Sequence, residues 1–326
     1  MELTTTSAGI IPIAKTDELI KAFINSLDVA PVSRQTYSRA IQQFFKWVDS
    51  RNYHLSQLTR VEILEYKDHL LNGRTSLSAA AYITALKNFY TWAESTKLYP
   101  NITRDIKLPK RKQEFKRQPL YPQQVAELLE HFDTKGKRDQ AIINLMLDCG
   151  LRTIEVIRAN VGDIDYKQVE DPETKKIILA RVLKIQGKGR DTKDEFVIIP
   201  DLLNDCLQKY LSTRKKTAGI SPLFVSESNR SINQRLTTRT IRSIAKEGLK
   251  AIGINHVNYT AHSFRHSAGT NILLNGGTLE QAQRTLRHTN PATTQIYTHT
   301  LNDIRRVQNS GESFLATLYQ SHRKTA

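Results

Sequence analysis

Cysteine is nearly missing from this chain: Cys149 and Cys206 stand alone in 326 residues, far apart and without a CxxC partner. That argues against a disulfide framework and against a thiolate metal site, and Cys149 is expected to be buried at a helix end. Long apolar runs are missing as well. None approaches the roughly 18 residues that would cross a membrane, so no membrane span is expected. The first fifteen residues, MELTTTSAGIIPIAK, lack a basic start and a long apolar core, which argues against a secretory signal and for a cytoplasmic protein. The third shortage is acidic charge. There are 32 Asp and Glu against 48 Lys and Arg, a net charge of +16. This favours a polyanionic partner, with nucleic acid, membrane surface and ribosome all open on basicity alone.

The length fits two ordinary domains, each long enough to bury a core. After an N-terminal extension (1–15), residues 16–99 read as four amphipathic helices. Leu19, Ile20, Phe23, Ile24 and Leu27 form one apolar stripe; Tyr37, Ala40, Ile41, Phe44, Phe45 and Val48 form a second. Thr59 and Glu62 make a capping box for a third helix, with Ile63, Leu64, Leu70 and Leu71 inward and Gly73 at its end. The fourth uses Ala79, Tyr82, Ile83, Leu86, Phe89, Tyr90 and Ala93. Residues 100–119 hold seven basic and two acidic residues, a net +5. Without apolar periodicity, they read as an extended basic linker.

A second domain is expected over 120–326. Helices are predicted at Pro122–Phe132 and Lys137–Cys149, with Gly150 ending the latter. Arg152 then opens a short helix. Strand-like runs at 176–184 and 195–199 flank the turn QGKGRDTKD, which carries Lys188, Arg190 and Lys193. Helical patterns return at 201–214 and 237–249. The fold class is therefore mainly α: a four-helix domain followed by an α+β domain with a small antiparallel sheet.

The densest chemistry lies between Tyr259 and His299. A helix starting near Thr260 or Ala261 puts His262 and Arg265 on one face and stops at Asn275-Gly276-Gly277. Thr278 and Gln281 cap a second helix with apolar Leu279, Ala282 and Leu286, which runs out at Arg287-His288. Asn290-Pro291 opens a third, short helix carrying Tyr297. A phenol with a pKa near ~10 is about one part in a thousand ionised at neutral pH and needs help to act as a nucleophile. Arginine grips two phosphate oxygens, and neutral histidine moves protons. Together they suggest phosphoryl transfer through a covalent phosphotyrosine. His262 and His266 also have zinc-helix spacing, but Ser263 stands where the metalloprotease pattern needs Glu, which disfavours that reading.

AHSFRH followed by LRHTNPATTQIYTH resembles the signature of the tyrosine recombinases, the phage-integrase and Xer-like family. Cys149-Gly150-Leu151-Arg152-Thr153-Ile154-Glu155 resembles that family's first-arginine motif, and Gly187-Lys188-Gly189-Arg190 its β-hairpin lysine motif. The resemblance implies six catalytic residues: Arg152, Lys188, His262, Arg265, His288 and Tyr297. It also implies a site-specific recombinase that cuts and rejoins DNA without a cofactor, because phosphodiester energy stays in the phosphotyrosyl bond. The partner implied is double-stranded DNA with paired inverted sites, held by a homotetramer, with accessory bending or directionality factors possible and a nucleoid-associated location. The helical domain becomes a core-binding domain, with Arg34, Arg39, Arg74 and Lys87 as candidate DNA contacts. In the linker the candidates are Lys107, Lys110, Arg111, Lys112, Lys116 and Arg117.

Two residues depart from the family pattern. Phe264 replaces a commoner leucine, a mild apolar swap. Arg287 replaces the usual glycine before His288; if the turn is left-handed, that costs about 1 kcal/mol. Too few residues precede the first helix for the arm-binding domain of large phage integrases, so a two-domain enzyme is expected. An integrase of a mobile element or phage is favoured over an Xer-type resolvase or an invertase. A topoisomerase and a noncatalytic DNA-binding regulator are the rivals from other classes. The last segment, with Phe314, Leu315, Leu318 and Tyr319, is expected to dock on a neighbouring protomer or to fold back in cis.

Overall fold

A computed structural model describes residues 13–110, 118–187, 190–214, 218–288, 297, 301–302, 306–307 and 310–323. The chain divides into two compact units, Met1–Glu114 and Phe115–Ala326.

The first unit is a four-helix arrangement: α1 (Ile13–Ser26), α2 (Pro31–Ser50), α3 (Arg60–Gly73) and α4 (Ser76–Ser95). The stripes expected on α1, α2 and α4 meet in an aromatic core. Phe23 meets Phe89 edge-on at 5.3 Å, and Phe44 meets Tyr66 at 5.0 Å, a geometry that ring quadrupoles favour. The Thr59 capping box is present, with the Thr59 hydroxyl accepting from the Val61 amide at 3.2 Å and Glu62 accepting from the Thr59 amide at 2.7 Å.

Two expectations for this unit need correction. Leu64 and Leu71 lie outward, each 38% exposed, while Ile63, Tyr66 and Leu70 are buried. The 63, 66, 70 spacing keeps one helical face, and each leucine sits one residue, about 100° of rotation, beyond it. Gly73 is the last residue of α3, as expected, and the helix stops as Arg74 turns to extended backbone at φ −141°. An extended linker does not begin at residue 100. Thr103 and Ile106 are buried in this unit, and the Lys87 ammonium donates to the Ile106 carbonyl at 2.9 Å. Ile102 and Ile106, four residues apart, supply the apolar anchors that hold this segment to the core.

The second unit opens with α5 (Pro122–Asp133) and α6 (Lys137–Asp148), followed by α7 (Thr153–Arg158). A three-stranded antiparallel sheet comes next: β1 (Ile164–Glu170), β2 (Ile177–Ile185) and β3 (Glu195–Ile198), in the order β1-β2-β3. Register pairs Ile164 with Leu183 and Val182 with Ile198. β1 was not expected; its IDYKQVE is mostly exposed and polar, so alternation is weak. The chain continues through α8 (Asp201–Leu211), α9 (Thr238–Ala251), α10 (Ala261–Leu274) and α11 (Leu279–Leu286). One core gathers Leu128, Ile142, Met146, Leu183, Leu207, Ile241 and Phe264. On α11, Ala282 and Leu286 turn inward as expected, whereas Leu279 in the first turn is 38% exposed.

α12 (Gly311–Arg323) carries Phe314 and Tyr319 at 71% and 60% exposure, so those rings are not folded onto the core in cis. No helix among the described residues is long and apolar enough to cross a membrane.

Candidate active site

Two turns set the geometry of the second unit's charged centre. Gly150, at φ +58°, ends α6 in the left-handed conformation, as expected. A side chain there would also strike Leu286, 2.4 Å from the added carbon. The reversal puts Arg152 at the start of α7, where Glu155 reaches back to it. Glu155 Oε2 accepts from the Arg152 amide at 2.8 Å and Oε1 from Arg152 Nη1 at 2.7 Å.

The second turn is Arg287, which caps α11 at φ 53°, ψ 48°. The turn is therefore left-handed despite its arginine, and the strain of about 1 kcal/mol is present. Its guanidinium lies inside the protein, 6% exposed, donating to Glu155 Oε2 and to the Thr285 carbonyl, each at 2.8 Å. Glu155 thus sits between two arginines with its carboxylate fully covered. Burial alone would raise its pKa, but Arg287, the Arg152 amide and the charges of Arg152 and Arg265 outweigh it and hold the carboxylate below its usual range.

Arg265 stitches the two turns together. From α10 it donates to the Gly150 carbonyl at 2.6 Å and, through its other terminal nitrogen, to the Leu286 carbonyl. It is 2% exposed. Burial, with Arg152 next, pushes its pKa down to about 9, so it stays cationic at neutral pH. Two carbonyls use two of its five N–H groups and leave three.

His288 follows Arg287 and stacks parallel to Tyr297, with ring centroids 6.2 Å apart. Burial first, then Arg265, Arg152, Arg287 and His262, lower its pKa to about 4, so the ring is neutral near pH 7. Tyr297 is 4% exposed. Burial raises its pKa, while Arg265 and Arg152 pull the other way. Its ring rests edge-on against His266 at 4.9 Å and over Gly269. His262, exposed at the start of α10, lies near enough to depress His288.

Five of the six expected catalytic residues therefore share one electrostatic neighbourhood. Lys188 lies outside the described residues. The hairpin's other cations are engaged: Arg190 pairs with Asp194 and Glu195, and Lys193 with Asp163. A cleft of about 900 Å³ brings Asp194 and Glu195, at the foot of that hairpin, alongside Arg287 and His288.

Glu155 was legible in the sequence only as part of a motif, and its role as the acidic hub comes from contacts with residues up to 132 positions away. His266, weighed above as a zinc ligand, instead bonds Thr270 and packs on Tyr297. Among the described residues no group of three His, Cys, Asp or Glu is placed to hold a metal.

The candidate DNA contacts divide by what already holds them. Arg34 donates to the Leu27 carbonyl, and Arg74 to Gln43 while lying over the Tyr82 ring. Lys87 donates to the carbonyls of Arg104 and Ile106. Arg39, Lys107 and Lys110 are exposed. Arg111, Lys112, Lys116 and Arg117 lie outside the described residues.

The family model described as "Phage integrase family" matches residues 118–303, and that of the "Phage integrase, N-terminal SAM-like domain" matches 18–99. The chain is 30% identical over 245 residues to the tyrosine recombinase XerC of Corynebacterium glutamicum, covering 71% of this chain and 70% of that protein. To the tyrosine recombinase XerA of Thermococcus kodakarensis it is 28% identical over 302 residues, 90% and 94% of the two chains. Two solved structures share the fold. The XerH site-specific recombinase bound to palindromic difH substrate, a post-cleavage complex, gives a TM-score of 0.70 at 18% identity over 91% of this chain and 85% of that one. A lambda integrase dimer bound to a COC′ core site gives 0.61 at 16%, over 86% and 76%. With its helical first unit, its arginine-rich centre around Tyr297 and these matches, the chain belongs to the phage integrase family of tyrosine recombinases.

Proposed function

We propose that this chain is a site-specific DNA recombinase that cuts and rejoins DNA through a 3′-phosphotyrosyl bond. The observation that carries the reading is the convergence of Arg152, Arg265 and neutral His288 on Tyr297 in one buried, positively charged centre. Tyr297 Oη attacks phosphorus, its proton passes to His262, and the bond to the 5′ oxygen breaks. Arg152 and Arg265 stabilise charge on the nonbridging oxygens, and His288 adds a hydrogen bond. Lys188 protonates the departing 5′ oxygen. The ion pairing of Arg190 and Lys193 supports that choice within the hairpin. Attack by a 5′ hydroxyl of a partner duplex reverses the step, so no energy source is consumed.

The partner is double-stranded DNA bearing paired inverted sites, engaged by four copies. A structural neighbour sharing this fold is a lambda integrase tetramer on a Holliday junction. The enzyme works where that DNA is, in the cytoplasm on the nucleoid, as the integrase of a mobile element. Xer-type dimer resolution is the second reading, favoured by relatives named Xer along most of the chain.

Covalent trapping tests the proposal. Wild type is incubated with nicked duplexes drawn from the DNA flanking its gene, and an adduct that survives denaturing electrophoresis and vanishes in Tyr297→Phe is expected. Tight specific binding with no adduct on any duplex would replace the recombinase with a noncatalytic regulator.

A further inference from the structure

Arg287 stands in a left-handed turn, a conformation that favours glycine, and its guanidinium is buried against Glu155. Glu155 has two oxygens and about four lone-pair sites. Three are occupied: the Arg152 amide, Arg152 Nη1 and Arg287 Nη2. The direction of the Arg152 guanidinium is thus set by Glu155, and the place of Glu155 is shared with Arg287. Charge is shared as well. With Arg287 removed, a fully covered carboxylate would face Arg152 as its nearest cation and neutralise more of it. Arg287 Nε also lies 3.8 Å from Glu195 Oε2, too long for a hydrogen bond but close enough to draw the foot of β3 toward the same centre.

We infer that Arg287 is a positioning residue: anchored in its left-handed turn, it takes up part of the Glu155 charge, so that Arg152 is aimed and left electropositive toward the scissile phosphate. The inference rests on the reading above, in which Arg152 meets a nonbridging oxygen.

The experiment compares wild type, Arg287→Gly and Arg287→Lys on two nicked duplexes. One carries an ordinary scissile phosphodiester, the other a methylphosphonate, which lacks one nonbridging negative charge. Glycine suits the turn, so Arg287→Gly is expected to fold. On the phosphodiester its adduct should form at least about tenfold more slowly than wild type, with DNA binding unchanged. On the methylphosphonate, where little charge needs stabilising, the deficit should shrink to about threefold or less. Arg287→Lys should recover part of the phosphodiester rate. An equal deficit on both duplexes would show a merely structural arginine, and no deficit would show a dispensable one; either overturns the inference alone. Absence of a wild-type adduct overturns the recombinase reading and the inference with it.

Discussion

The Tyr297 ring occupies space that Gly269 leaves open: a carbon added to Gly269 would lie 2.8 Å from the tyrosine Cζ and 2.7 Å from Leu286 Cδ1. Gly269→Ala must therefore displace both side chains or the helix that carries it. Overpacking of this kind costs about 1–3 kcal/mol. We expect a small loss of stability in urea denaturation, a change of about tenfold or more in Tyr297 adduct formation and unchanged DNA affinity. An alanine variant with wild-type trapping kinetics would show that Tyr297 does not react from this position.

Acid should weaken the second unit before its carboxylates titrate. His288 is held at about 4 and His266 is lowered by burial, against ~6.5 in an unfolded chain. The unfolded state then binds more protons between those values, so stability falls as pH drops from ~6.5 toward 4. Glu155 acts lower: its folded pKa is depressed, so its contribution is present above ~4.3 and lost as pH falls through the folded value. Urea midpoints should decline between pH 7 and 5, and less steeply in His288→Gln. A flat wild-type profile would count against the buried neutral ring.

Lys87 and the linker lysines should separate by their response to salt. Lys87 donates to two carbonyls of its own unit, so Lys87→Met should cost about 1 kcal/mol of stability and leave the salt dependence of DNA binding unchanged. Lys107→Gln and Lys110→Gln, at exposed positions, should each flatten the slope of log affinity against log salt by about 0.9. The reverse pattern would return Lys87 to the DNA interface.

What could be read from the sequence was local. Gly150, the Thr59 and Thr278 capping boxes and the buried stripe of α4 each depend on residues within one or two turns, and all stand where expected. Misplaced features needed information from farther away. Leu64 and Leu279 look as apolar as their buried neighbours, and only helix packing decides which side is covered. β1 is paired by β2, not by its own pattern. Residues 100–107 carry the composition of a linker, yet two isoleucines suffice to fix them to a core. At the site, spacing and family likeness select the candidate catalytic residues. Glu155, His266 and the inward turn of Arg287 emerge only when segments more than a hundred residues apart, or helix α10 and Tyr297, are folded together.

Tyr297 as a whole residue is 4% exposed, which separates storage from use. In the proposed reaction a phosphate must reach the tyrosine oxygen; where that requires the residue to be uncovered first, the observed rate is the intrinsic rate multiplied by the fraction of molecules uncovered. A closed state favoured a hundredfold, about 2.7 kcal/mol, would slow cleavage about a hundredfold with no change in any reacting group. Loosening of the Leu286 and Ala268 packing around the ring then acts as an accelerator, and whatever assembles the protein on DNA can set the pace of cutting by shifting that fraction alone.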